Sequence, residues 1–228
     1  MGKNDNGNNG RTELVFVVDR SGSMGGLESD TIGGFNSMLS KQRTIAGECR
    51  VTTLLFDHRI ETLHNHLDIR EVNDLTSRDY WVRGSTALLD AIGLAIDRMI
   101  VTQRHTAAAY RAQHVLFVII TDGYENASRR YSLHQIKQMI TYERERYHWE
   151  FVFLGANIDA EQTAGDFGIS PRCATDFHAD GQGIKASFEA VACAATAVRG
   201  GADLEDLNAP DFLGGVRDDY RSRRRMKW

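Results

Sequence analysis

Short, continuous runs of apolar residues recur along the chain, and each is followed by a polar loop. Such runs are typical of strands that are buried on both faces of a parallel sheet. Two of them, residues 13–19 and 114–121, end at or just before a carboxylate, Asp19 and Asp122. Two further runs complete a set of four predicted strands, residues 149–154 and the weaker 172–175.

Apolar residues with helical spacing lie between these strands. They predict helices at about 28–45, from Thr86 onward, and at 132–147, 159–167 and 181–198. Residues 50–56 and 59–64 are β-type runs separated only by Asp57 and His58, which predicts an antiparallel hairpin. The alternation predicts an α/β fold. We expect a doubly wound, mostly parallel open sheet of about six strands, with one antiparallel strand at or near an edge and helices on both faces.

The composition is that of an ordinary globular protein, with 42% hydrophobic and 25% charged residues over 228 positions. The formal net charge of −4 is too small to indicate an anionic partner, although the last eight residues carry five positive charges. We predict a disordered lead-in over 1–11, one domain over 12–200, and an extension over 201–228 that ends in a basic tail. That tail, from Arg221 to Trp228, is expected to be solvated or to pack its Trp on the domain.

Three cysteines, an odd number, lie in apolar or helical surroundings at positions 49, 173 and 193. They predict buried free thiols in a reducing compartment. The longest apolar stretch, residues 115–120, is too short to span a bilayer, and residues 1–10 lack a signal-peptide pattern. We therefore expect a soluble, cytoplasmic protein with no membrane partner.

Polar chemistry is concentrated in three separated segments. Asp19, Ser21 and Ser23 form Asp-x-Ser-x-Ser after the first strand, Thr86 lies at the predicted start of a helix, and Asp122 follows the strand at 114–121. In a doubly wound sheet these points can meet at the carboxyl edge, where the strand order reverses and ligands usually bind.

The donor types indicate which ligand such a site would take. Two carboxylates and three hydroxyls are hard oxygen donors, and they select Mg²⁺, Mn²⁺ or Ca²⁺ over zinc. A site with few direct protein ligands suits Mg²⁺, which keeps several waters. Neutral hydroxyl ligands leave much of the ion's charge uncompensated, so the ion would attract a further anionic oxygen.

The three segments together resemble the metal-ion-dependent adhesion site of von Willebrand factor type A (VWA) domains. The likeness extends through Leu-Val-Phe-Val-Val, Gly-Ser-Thr-Ala-Leu and Ile-Ile-Thr-Asp-Gly and covers about residues 12–198. Among such domains, the chain is most similar to stand-alone prokaryotic intracellular members of the tellurium-resistance-associated type.

The resemblance implies a role for each matching residue. Ser21 and Ser23 would bind the metal directly, and Thr86 and Asp122 would alternate between direct and water-mediated contact. Asp19 would lie beneath the ion and accept hydrogen bonds from metal waters and the serine hydroxyls. An Asp or Glu of a protein partner would supply the missing ligand.

Several residues keep a second interpretation. Thr86 could be an ordinary helix N-cap. Asp90 could support the metal waters from outside or be a solvated first-turn carboxylate. Arg20 could pair with the partner's carboxylate or be solvated. His64 and His66 could hint at zinc, but a solvated strand face is expected, since no further ligand falls at a suitable spacing.

The leading hypothesis is a non-enzymatic, Mg²⁺-dependent protein-binding module within an intracellular complex; no oligomeric state is predicted. The first alternative is a metal-dependent phosphohydrolase of the haloacid-dehalogenase type. That chemistry needs a second Asp two residues after the first, where this chain has Ser21. The second alternative is a nucleic-acid-associated protein acting through the basic tail. The body of the chain lacks interleaved aromatics, so nucleic acid is not expected as a partner.

Overall fold

The computed structural model describes residues 10–225, and side chains as far as residue 224. Within this part the strands are Thr12–Asp19 (β1), Cys49–Phe56 (β2), Ile60–Asp68 (β3), His114–Asp122 (β4), Glu150–Ala156 (β5) and Ala174–Asp176 (β6). The helices are Glu28–Arg43 (α1), Leu88–His105 (α2), Leu133–Tyr147 (α3), Ala160–Phe167 (α4), Gly181–Arg199 (α5) and Gly214–Arg225 (α6). None of these helices is long and apolar enough to cross a membrane.

The six strands form a single mixed sheet in the order β3-β2-β1-β4-β5-β6. Edge strand β3 runs antiparallel to β2, and every other neighbouring pair is parallel. This confirms the predicted doubly wound sheet with one antiparallel edge strand. Because the strand order reverses between β1 and β4, the carboxyl ends of these two strands flank the crevice where such folds bind ligands.

Both faces of the sheet are covered, which explains why its central strands are continuously apolar. All eight residues of β1 are buried. On one face Phe16 packs edge-to-face on Phe35 of α1, with ring centroids 5.3 Å apart, and Phe35 contacts Phe188 of α5. On the other face Phe153 of β5 packs edge-to-face on Phe167 of α4 at 5.6 Å.

Helix α6 was not predicted from the sequence. Of the predicted basic tail, residues 221–225 are its last turns, and Trp228 lies outside the described residues. The Arg217 guanidinium donates to the carbonyls of Pro171, Arg172 and Ala174. Arg223 is ion-paired with Asp180 and Asp219, so the tail's described part is neither disordered nor wholly solvated. Residues 1–9 of the predicted lead-in also lie outside the described part.

Two sequence expectations about side chains are wrong: the solvated strand face of His64 and His66, and the burial of all three cysteines. His64 is buried, with its Nδ1 3.0 Å from Thr53 Oγ1, and is not on a solvated strand face. His66 has a left-handed backbone (φ 54°) beside a register shift, and its Nδ1 lies 2.7 Å from a Glu13 carboxylate oxygen. The cysteines are free, but Cys193 is exposed.

The pH dependence of stability should be traceable to Glu150, the first residue of β5. Burial, assisted by Asp203 and Glu205, raises the pKa of Glu150 to about 7. Between its ordinary pKa of 4.5 and 7 the folded state holds a proton that the unfolded chain has lost, so stability falls as pH rises through this window. We expect Glu150→Gln to raise the unfolding free energy at pH 8 by about 1–2 kcal/mol and to leave it nearly unchanged at pH 4.

Urea unfolding of both proteins across pH 4–8 measures this difference. A Glu145→Gln variant on the exposed side of α3 is the control and should parallel the parent protein at every pH. An equal effect of Glu150→Gln at pH 4 and pH 8 would contradict the assignment.

Candidate metal centre

The three polar segments meet at the carboxyl edge of the sheet. Asp19 ends β1 and Asp122 ends the neighbouring β4. The loop after β1 is joined to the segment before α2 by a hydrogen bond from Gly22 N–H to the Gly84 carbonyl, at 3.1 Å. Gly84 has φ +67°, a left-handed conformation that favours glycine, and the ring of His58 lies against it.

The three predicted hydroxyl donors lie next to one another. Ser21 Oγ is 3.1 Å from Ser23 Oγ and 3.1 Å from Thr86 Oγ1. Ser21 and Thr86 are buried and Ser23 is exposed, so the group opens to solvent on one side. Adjacent ligands of an octahedral Mg²⁺ with bonds of 2.0–2.1 Å are separated by about 2.9 Å. The observed spacing is therefore compatible with hydroxyls sharing one small cation.

Asp19 is completely buried and organises the loop from below. Its Oδ1 accepts a hydrogen bond from the Ser21 backbone N–H at 2.6 Å. Its Oδ2 accepts from Thr121 Oγ1 at 2.7 Å and from the Asp122 N–H at 3.3 Å. A carboxylate that ties the loop to β4 in this way fits the supporting position implied by the resemblance better than direct metal contact.

Asp122 is also buried, and its Oδ1 accepts a hydrogen bond from the Asn157 side-chain amide. Burial raises the pKa of Asp19 and is the main cause that raises the pKa of Asp122, where repulsion from Asp19 adds to it. Neither carboxylate has an ion-pair partner among the side chains of residues 10–224. Two buried carboxylates without a cationic side chain beside them, next to three hydroxyls, are a hard-oxygen donor set that fits a divalent cation.

Thr86 does not cap α2, so the interpretation of this residue as an N-cap is wrong. The helix begins at Leu88, two residues later, and its own N-cap residue makes no side-chain hydrogen bond. The Thr86 N–H donates to Asn126 Oδ1 at 2.9 Å, and the Asn126 N–H donates back to the Thr86 carbonyl at 3.0 Å. The loop after β4 therefore fixes the Thr86 backbone, while its hydroxyl faces Ser21.

Asp90 binds this same loop, so it is not merely a solvated first-turn carboxylate. Its carboxylate accepts backbone N–H groups from Arg129 at 2.9 Å, Arg130 at 2.8 Å and Tyr131 at 2.9 Å. Glu125 completes the connection, since its Oε2 accepts from the Leu89 N–H at 2.9 Å. The start of α2 and the loop after Asp122 are thereby held as one unit.

Arg20, at the second position of the Asp-x-Ser-x-Ser motif, is neither solvated nor free for a partner. It is completely buried, with Nε 3.1 Å from Asp57 and Nη2 2.8 Å from Glu61. Its guanidinium lies 5.1 Å from the centre of the Trp81 ring. Both sequence interpretations of Arg20 are wrong, because it is buried and ion-paired within the chain. The pairing was not predicted because its partners lie on β3 and in loops that follow much later in the chain.

Sequence reasoning missed three residues that position the donors, Tyr80, Asn126 and Asn157, and gave no separate role to Thr121, which lies in the matched Ile-Ile-Thr-Asp-Gly segment. The Tyr80 hydroxyl donates to the Asp19 carbonyl at 2.6 Å. Asn157 follows β5 directly and has φ 55°, a conformation in which Asn is enriched. Its place after a strand adjoining β4 was the one available signal, since that strand's end meets the same edge.

The chain is similar to known proteins at the level of structure. No family model and no curated protein matches the chain. The vWF domain of a type V pili tip protein from Porphyromonas gingivalis is similar, with a TM-score of 0.56 and 13% identity over 82% of this chain and 95% of that one. Proximal thread matrix protein 1 of the mussel byssus has a TM-score of 0.55 and 14% identity over 82% of this chain.

The fold is that of von Willebrand factor type A domains. Manganese-loaded TRAP protein of Plasmodium vivax shares it, with a TM-score of 0.53 and 15% identity over 78% of this chain and 72% of that one. One structure of the mussel protein has a zinc-occupied MIDAS motif, a metal-ion-dependent adhesion site. The chain spans 46% of the mussel protein's length, and at these identities the likeness describes the VWA fold alone.

Metal binding should depend on the two serine hydroxyls. We expect the parent protein to bind Mg²⁺ in titration calorimetry and the Ser21→Ala/Ser23→Ala variant to lose that binding. The substitutions remove the two hydroxyls that the resemblance implies as direct ligands, while Asp19 keeps its backbone donors. In a crystal soaked with the ion, Mg²⁺ would show bonds near 2.1 Å and Ca²⁺ bonds of about 2.3–2.6 Å.

The matched control is Ser37→Ala/Ser40→Ala, which removes two exposed hydroxyls from α1. It should bind the ion as the parent protein does. Equal Mg²⁺ affinity in the Ser21→Ala/Ser23→Ala variant would place the ion elsewhere.

Proposed function

We propose that this chain is a non-enzymatic, Mg²⁺-dependent protein-binding module that captures a carboxylate of its partner. The observation that supports the proposal is the juxtaposition of three hydroxyls, with those of Ser23 and Thr86 each 3.1 Å from that of Ser21, and two buried carboxylates that have no ion-pair partner in the described part of the chain. This donor set favours a hard cation and compensates its charge only in part.

In the proposed complex each residue has a separate task. Ser21 and Ser23 hold the ion directly, Thr86 and Asp122 approach it directly or through water, and Asp19 orders the metal waters and the loop. The bound ion supplies an electrophilic position, which an Asp or Glu of the partner fills. Mg²⁺ is proposed ahead of Mn²⁺ or Ca²⁺ because it suits a site with few protein ligands and retained waters.

We also propose a cytoplasmic setting, in the manner of the stand-alone prokaryotic members associated with tellurium resistance. The three cysteines are free, as expected for a reducing compartment. The binding unit would be residues 12–200, and residues 201–228 would be an extension of it. We expect the partner to be a component of an intracellular multiprotein complex.

Partner binding should require Asp122 without requiring it for folding. We expect Asp122→Ala to abolish a Mg²⁺-dependent complex and to leave the melting temperature of the metal-free protein within a few degrees. The substitution removes one of two mutually repelling buried carboxylates, so little stability is lost. Pull-down of a partner in Mg²⁺ and in EDTA, with differential scanning fluorimetry, measures both effects.

Asp166→Ala is the control, because it removes an exposed carboxylate of α4 far from the site. That variant should keep the complex. A complex that persists in EDTA would show that partner binding does not use the metal.

The chain is expected to have no hydrolytic turnover. Metal-assisted hydrolysis normally needs a positioned base or nucleophile beside the ion. Both site carboxylates are engaged, Asp19 by three hydrogen bonds and Asp122 by Asn157. A phosphatase, nuclease and protease screen with Mg²⁺ or Mn²⁺ should give no rate above that of Ser21→Ala/Ser23→Ala.

The imidazole of His58 lies against Gly84 of the site's second segment, with its Nδ1 2.9 Å from Asp57. His58→Ala is therefore included in the screen. Activity that is lost in Asp19→Asn would overturn the binding-module proposal and revive the phosphohydrolase alternative.

A further inference from the structure

We infer that the surface around the metal centre is the docking face for an acidic protein segment, with Trp81 as its aromatic anchor. The inference rests on the proposed function and adds the kind of partner. Three observations support it. Two arginines hold the Trp81 ring, the ring is connected to the metal loop, and the loops at this edge carry exposed, unpaired arginines.

Trp81 has an exposed ring that two guanidinium groups hold in place. It is 41% exposed, yet the guanidinium of Arg20 lies 5.1 Å and that of Arg83 5.4 Å from the ring. Both arginines donate to the same buried Asp57 oxygen, at 3.1 and 2.8 Å. A large aromatic held in place before binding loses little entropy on contact, which is a property of the residues that dominate interface energies.

The Trp81 ring and the metal loop belong to one connected unit. Arg20 lies between Asp19 and Ser21, and its carbonyl accepts the Arg83 N–H at 2.9 Å. In the loop after β4, Tyr124 follows Asp122 by two residues and is 61% exposed. Two of the segments that form the site therefore each carry an exposed aromatic ring.

The loops at this edge of the sheet carry exposed, unpaired arginines. Arg59, Arg129 and Arg130 are exposed and have no ion-pair partner within residues 10–225. The carboxylates of the same loops are occupied internally, Asp90 and Glu125 by backbone N–H groups. Unpaired arginines in these loops favour an acidic partner and speed its encounter, although the chain as a whole has a net charge of −4.

The test uses two synthetic peptides that share one central Asp. The acidic peptide has three Glu on each side of it, and the neutral peptide has Ser and Gly in their place. Titration calorimetry in Mg²⁺ at low salt should give about tenfold tighter binding of the acidic peptide, and the difference should shrink in 0.5 M NaCl because salt screens exposed charges.

Two variants address the face directly, each with a matched control at the opposite edge of the sheet. Arg129→Gln/Arg130→Gln should remove most of the preference for the acidic peptide, while Arg104→Gln/Arg146→Gln should not. Trp81→Ala should weaken binding of the acidic peptide about tenfold or more. Tyr110→Ala, which removes an exposed ring that also lies 5.0 Å from a guanidinium, should leave binding unchanged. Melting temperatures check that each variant is folded.

The outcomes separate this inference from the proposed function. Equal, Mg²⁺-dependent binding of both peptides overturns the acidic-partner inference and leaves the proposed function standing. Acidic-peptide binding that persists in EDTA but is lost in Arg129→Gln/Arg130→Gln supports the cationic face and contradicts the metal-dependent function. Absence of binding at millimolar peptide, or tighter Mg²⁺-dependent binding of a single-stranded oligonucleotide of equal charge, overturns the inference.

Discussion

The structure of this edge depends on the burial of two carboxylates at the ends of adjacent parallel strands. Asp19 and Asp122 are both removed from water, and the pKa of each is raised by that burial. An unpaired buried charge costs of the order of several kcal/mol, so such groups must be hydrogen-bonded, protonated or bound to a cation. Asp19 receives three donors, whereas Asp122 receives the Asn157 amide alone. The proposed cation would supply most of the remaining compensation.

The negative charge of the other carboxylates at this edge is compensated by partners within the chain. Asp57 binds the guanidinium groups of Arg20 and Arg83, and Asp90 accepts three backbone N–H groups. Each of these contacts joins two different loops, so charge compensation also fixes the loops relative to one another. The hydroxyls of Ser21 and Thr86, 3.1 Å apart, belong to loops that are fixed in this way. Such pre-organisation lowers the cost of binding an ion or a partner.

The sheet, and the meeting of the candidate donor residues at its edge, were predictable because their signals are local. A short buried apolar run with polar loops on both sides is typical of a parallel strand, and Asp19 and Asp122 lie at the ends of such runs. The surroundings were not predictable, since they depend on pairs far apart in sequence: Arg20 with Asp57 is separated by 37 residues, and Asp90 with Tyr131 by 41. Helix α6 was missed for a related reason. Its sequence is strongly basic, and it is held by Arg217 on carbonyls of the segment before β6 rather than by a broad apolar face.

A metal that captures a carboxylate cannot by itself distinguish one partner from another. Every exposed Asp or Glu offers the same oxygen ligand, so the ion contributes affinity and its surroundings must contribute specificity. On this chain those surroundings include an exposed aromatic ring, Trp81, and exposed arginines. Arg20, the residue inside the metal motif that could have faced the partner, is instead buried beneath Trp81. The one arginine of the motif therefore supports the Trp81 ring. We infer that this ring and the exposed arginines of the neighbouring loops determine which partner binds.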